Sequence, residues 1–228
     1  MAGDPQAAQA WRETYERVRS LVEETDRDDP GALDRPVPAT PDWSARDLLA
    51  HMIGVDRDTL ADDVDDELGE AWTQKHVDER SGRSAADLLA EWRDLADDLE
   101  RFVATQDPAP LGDAVIHEQD LRGALGVPGG RESAGLAAIR DQMAEGLGER
   151  LAGRGPVRLQ ASDTDWVWQS GDGEPAVVLQ ASAYDLARAL TTRRTAEQLR
   201  GYTVDGDVDP FLDDFAGLGP LPTEALPE

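Results

Sequence analysis

The sequence predicts an α + α/β chain: a helical bundle first, then a small α+β domain. Three observations carry this expectation. Up to about residue 151 the apolar residues recur at helical spacing with no strand signal. From Pro156 onward short alternating runs are separated by turn residues. A length of 228 residues leaves room for one large domain or for a larger and a smaller one. The break at Gly153-Arg154-Gly155 places the expected boundary, giving a bundle over 1–153 and a second domain over 154–228.

Residues 6–25 put Ala10, Tyr15, Val18 and Leu21/Val22 on one helical face. The Pro-rich stretch that follows reads as irregular. Ser44 is an expected N-cap for a second helix whose apolar stripe runs Leu48, Leu49, Met52, Ile53 and Val55. A third helix is expected from Ser84, with Asp87 three residues on, until Pro108 and Pro110 end it. The fourth spans about 111–125 and stops at Gly126-Val127-Pro128-Gly129-Gly130, and a fifth covers about 134–151. Strands are expected at 156–161, 165–169 and 176–180, with Gly171-Asp172-Gly173 as a hairpin turn between the last two. A helix at 183–192, a short strand near 202–204, a short helix near 210–215 and a frayed tail complete the chain.

With 48 acidic against 22 basic residues the net charge is −26, which disfavours nucleic acid and anionic membranes as partners. The acidity is spread over both parts, as on a solvated surface. Zero cysteines exclude a disulfide framework, thiolate metal ligands and a cysteine nucleophile. No apolar run approaches the roughly 18 residues of a membrane helix, and the N-terminus does not read as a signal peptide, so a cytoplasmic protein is expected. Lys75 is the only lysine, an arginine bias that fits a GC-rich genome as well as salt adaptation.

The three histidines are His51, His76 and His117. Asp113 precedes His117 by one helical turn, so both side chains project from one face, about 5–6 Å apart. With a histidine from a facing helix, such a pair can bind a divalent metal in a bundle and leave a position open. The same spacing also suits ordinary hydrogen-bonded helix residues. His76, in QKHVDERSGR, reads as a surface residue between helices.

Two segments go further. WSARDLLAHMIGVDRD (Trp43–Asp58) resembles the W-x-x-x-D-L-x-x-H helix of the mycothiol-dependent maleylpyruvate isomerase-like family, of the DinB-like bundle superfamily. VIHEQDLRGALGVP (Val115–Pro128) resembles its second signature, H-x-x-D-x-R-x-A-L-G-x-P. The resemblance implies a DinB-like four-helix metal-binding bundle followed by a small sterol-carrier-like α+β domain. It also implies a metal held by His51, Asp113 and His117, where Asp113 departs from the family's usual Glu or His. Asp120 could then accept a hydrogen bond from His117 and orient it, or be a solvated carboxylate paired with Arg122.

The implied cofactors are a divalent metal, zinc first, and mycothiol, the thiol of GC-rich actinobacteria. The implied reaction is cis–trans isomerisation: a thiolate adds across a double bond, the resulting single bond rotates, and elimination returns the thiol. Mycothiol S-transfer to an electrophile, or a non-enzymatic metal-binding or regulatory bundle, are the alternatives. Partners would be the thiol and a small anionic or electrophilic substrate, with the chain a monomer or dimer. Against a −26 surface an anion needs arginine clamps, and Arg193 and Arg194 are the candidates, where the family often has Gly-Arg and this chain has Thr192 before the pair. Their other reading is a basic helix C-terminus.

Overall fold

The computed structural model describes residues 3–65 and 69–228 and divides into two compact units. The first takes the chain up to Gly130 together with Pro227–Glu228, and the second takes Arg131–Leu226. This division falls earlier than the change from helical to strand spacing at residue 153, because the helix after Gly130 shares a core with the sheet.

In the first unit, α1 (Pro5–Asp28) starts at Asp4, whose side chain accepts from the Gln6 amide, with Pro5 in the first turn where no amide hydrogen is needed. Its buried face contains Ala10, Tyr15, Val18, Leu21 and Val22, at the expected spacing, and also Trp11. The Pro-rich stretch after it is more ordered than expected. It holds a 3-10 turn at Ala32–Asp34 and a two-stranded antiparallel pair, β1 (Pro36–Val37) and β2 (Thr40–Ser44).

Helix α2 (Ala45–Ala61) begins with a full capping box between Ser44 and Asp47, a device that contributes about 1 kcal/mol. Helix α3 (Glu70–Glu79) was not foreseen. Helix α4 (Ala85–Thr105) is capped by Ser84, as the Ser84/Asp87 spacing implies. Helix α5 (Pro110–Leu125) ends at Gly126, whose φ of +68° lies in the left-handed region that glycine adopts without steric cost. Helices α1 and α2 each pack against both α4 and α5, which makes a four-helix arrangement with α3 laid against α2. No described helix is long and apolar enough to cross a membrane.

The second unit contains α6 (Ala134–Arg150), β3 (Val157–Ala161), β4 (Val167–Gln169), β5 (Val177–Ala181), α7 (Ala183–Leu190), α8 (Ala196–Tyr202) and β6 (Thr203–Gly206), then a 3-10 turn at Asp209–Phe215. The sheet order is β4-β3-β5-β6, with β3 and β5 parallel and the other pairs antiparallel. The hairpin therefore joins β3 to β4, and Gly171–Gly173 does not make one between β4 and β5. Strand β4 returns the chain to the end where β3 began, so β5 starts there and runs parallel to β3 on its other side. Val157, Leu159, Val177 and Leu179 alternate inward onto Ala144 and Leu147 of α6, Leu151 at its C-terminal cap, and Leu186 and Leu190 of α7. The chain is thus helical with a small mixed-sheet unit, an α+β architecture.

Candidate metal centre

Helix α2 contributes His51 and helix α5 contributes Asp113 and His117. One ligand atom from each lies within 4.8 Å of the other two. The Nε2 atoms of both histidines face the same carboxylate oxygen: His51 is 3.5 Å and His117 3.4 Å from Asp113 Oδ1. In a tetrahedron with bonds of about 2.0–2.1 Å, ligand atoms stand roughly 3.3 Å apart, so these separations suit a first-row dication between them. Two imidazole nitrogens and one carboxylate oxygen are also a donor set that zinc accepts while keeping a fourth position open. The His51 side chain is 6% exposed, that of His117 13% and that of Asp113 21%, so solvent reaches the centre on the Asp113 side.

Each histidine is held from behind. His117 Nδ1 lies 3.2 Å from Asp120 Oδ2, and Asp120 is buried. The carboxylate thus takes the orienting position rather than a solvated one. His51 Nδ1 lies 3.3 Å from Nδ1 of His76. His76 is fully buried on α3, which corrects the expectation of a surface residue. Its Nε2 meets Asp58 Oδ2 at 3.1 Å, and the same oxygen accepts from Trp72 Nε1 at 2.9 Å. The Trp43 ring stands 5.0 Å from the His51 ring.

Charge follows from this packing. Burial alone would push Asp113 up, but the charge and hydrogen bond of His117 outweigh it and hold the carboxyl well below its usual range. Burial alone would push His117 down, yet the Asp113 charge and the hydrogen bonds to Asp113 and Asp120 raise it to about 9. Burial opposes the ionised form of Asp58 too, and its bonds to His76 and Trp72 keep it below the usual carboxylate range.

A second buried acid on α2 goes the other way. Asp56 is 2% exposed, accepts from Trp92 Nε1 at 2.6 Å, and is pushed well above its usual value, by burial first and by the charge of Asp113. An acid whose folded pKa is raised costs stability as pH climbs past its unfolded value near 4. Asp56→Asn retains an acceptor for Trp92 and has no proton to lose. It should melt at a higher temperature than the wild type at pH 7–8, an advantage that vanishes near pH 3.5. A melting temperature equal to the wild type's at pH 8 would show that the carboxylate ionises without penalty.

Arg193 and Arg194 lie in the second unit, after α7. Arg194 is 2% exposed and donates to Asp185 Oδ1 at 2.8 Å, to Tyr202 Oη at 3.1 Å and to the Arg193 carbonyl. Arg193 donates to the Thr191 carbonyl at 2.9 Å. Thr192 has a φ of +61°, the left-handed region in which a β-branched residue is strained. Its hydroxyl donates to the Phe215 carbonyl and accepts from the Leu218 amide, which accounts for a threonine where glycine would sit without strain.

A family model for the mycothiol maleylpyruvate isomerase N-terminal domain matches residues 7–120. Neither a curated protein nor a solved structure matches the chain. The matched segment is half of the chain and contains His51, Asp113, His117 and Asp120. On that match, the chain belongs to the family of the mycothiol maleylpyruvate isomerase N-terminal domain.

Proposed function

We propose that this chain is a metal-dependent, mycothiol-using enzyme, with a DinB-like bundle as its metal-binding part and a sterol-carrier-like second domain. The reaction we favour is cis–trans isomerisation of a small unsaturated acid by reversible thiol addition. The observation that carries the reading is the convergence of His51, Asp113 and His117, with both Nε2 atoms facing one carboxylate oxygen, inside the segment that the family model matches. A divalent metal there, zinc first, supplies a Lewis acid able to keep a thiol ionised near neutral pH.

The chain's own residues do the rest. Asp120 orients His117, the packing around His51 excludes water from behind it, and the 21% exposure of Asp113 leaves the centre approachable. The chain has no cysteine, which fits a sulfur nucleophile brought by a small molecule. Arg194 is committed to Asp185 and Tyr202, so its contribution is to hold the end of α7 against α8.

Metal analysis of the purified protein, followed by a thermal-shift screen of the metal-loaded form against mycothiol, glutathione and cysteine, tests the reading. A shift of several degrees with mycothiol at millimolar concentration and little with the others is expected. Turnover of maleylpyruvate with mycothiol then separates isomerisation from S-transfer, which would instead consume the thiol with an electrophile. Bound metal without any response to mycothiol would favour a thiol-independent, metal-binding role.

A further inference from the structure

The contact behind His51 is unusual in kind. Two imidazoles meet through their Nδ1 atoms at 3.3 Å, so one ring must donate and the other accept. The far side of the pair decides which. Asp58 Oδ2 accepts from Trp72 Nε1, an atom that can only donate, and has the Lys75 ammonium at 3.5 Å. An ionised carboxylate only accepts, so His76 Nε2, at 3.1 Å, carries a hydrogen. The fully buried His76 ring then holds its one proton on Nε2, and its Nδ1 is bare. Only His51 can supply the hydrogen between the two rings.

We propose that Asp58 and His76 act as positioning residues that fix His51 with a hydrogen on Nδ1, so that Nε2 is the nitrogen turned toward Asp113 and His117. This rests on the metal reading of His51, since Nε2 is the atom that a metal would use. Neither residue is among the three that converge on the candidate metal position. They act through His51, as a carboxylate behind a ligating histidine does, with one more ring in the relay.

The fold is built to bring that ring in. A Cβ at Gly54 would lie 2.3 Å from His76 Cγ and 2.5 Å from Cδ2, so only glycine lets α3 place an imidazole against α2 there. On the other side, Arg80 donates from Nη1 to the His76 carbonyl at 3.1 Å and from Nη2 to Glu91 of α4 at 2.8 Å, which anchors the end of α3.

Two measurements test this together. Protein labelled with 15N-histidine is studied by NMR without metal and after zinc addition, reading which ring nitrogens carry hydrogen and whether coupling crosses the His51–His76 hydrogen bond. The expected result is hydrogen on His51 Nδ1 and His76 Nε2, with coupling between the two Nδ1 atoms. Zinc affinity is then compared among the wild type, His76→Phe, which offers no hydrogen-bonding atom, and His76→Gln, whose amide offers one acceptor and one donor.

His76→Phe should bind zinc roughly 10–100-fold more weakly, as loss of such an outer partner typically does, and His76→Gln should recover most of that loss. If His76→Phe fails to fold, the glutamine variant and the spectra still decide. Hydrogen on His76 Nδ1, or equal affinity in the phenylalanine variant, would overturn the proposal. A wild type that shows the expected spectra but takes up no zinc would overturn the metal reading and uphold the relay.

Discussion

His51→Ala and His117→Ala should each abolish stoichiometric binding of a divalent metal, and Asp113→Ala should weaken it by about tenfold or more. Removing either histidine leaves one imidazole and one carboxylate, too few to hold a zinc ion against competing water, whereas Asp113→Ala keeps both imidazole nitrogens. Isothermal titration of the metal-free proteins, with metal analysis of the purified ones, gives the comparison. An unchanged affinity in Asp113→Ala would move the third ligand elsewhere. The pH dependence has a definite sign. With His117 raised to about 9 in the metal-free protein, metal must displace a proton from it at neutral pH. Apparent affinity should therefore climb as pH rises from 6.5 to 8.5, by about tenfold per unit for one displaced proton. A flat profile would mean that His117 is already neutral.

The second large effect is on stability. Glu118 follows His117 on α5 and its side chain is fully buried, yet it is ionically bound from two sides. Arg17 of α1 reaches both carboxylate oxygens, at 2.8 and 2.7 Å, and Arg122 donates to one of them at 3.0 Å. Glu118→Ala leaves two guanidinium groups in a partly buried site with no counter-charge. Breaking a buried pair in this way costs about 3–5 kcal/mol, a large share of the roughly 5–15 kcal/mol that a folded protein has. The midpoint of urea unfolding should fall accordingly, with Glu118→Gln in between. A loss under about 1 kcal/mol would reduce the cluster to an ordinary surface pair.

The parts of this fold legible from sequence are those where apolar spacing and a cap agree. The α1 stripe, the Ser44 and Ser84 caps and the Gly126 stop all lie where side-chain chemistry alone places them. Helix α3 escaped because EAWTQKHVDE buries only Trp72, His76 and Val77, and Gly69 before it gives no side-chain cap. With the helix went His76, whose burial no local pattern signals. Helix α5 shows the limit from the other direction. It buries Glu118, Gln119 and Asp120 beside Leu121, so its inward face is not an apolar stripe, and the one-turn spacing of Asp113 and His117 together with the motif resemblance, not an apolar pattern, points to the pair. In the second unit a good turn sequence at Gly171–Gly173 was assigned to the wrong strand pair, since local turn chemistry carries no information about a third strand lying between two others.

The missing side chain at position 54 has a consequence for descent as well as for packing. Because a single carbon there would occupy the space of the His76 ring, the two positions are not free to drift apart. Among kin of this chain, a residue larger than glycine at 54 should come with something smaller than histidine at 76, and the two should change in step. Where the ring is lost, the acid at 58 keeps only Trp72 and Lys75 as partners and is held less tightly to its identity. One hydrogen atom at position 54 thereby ties together three places in the sequence that no motif joins.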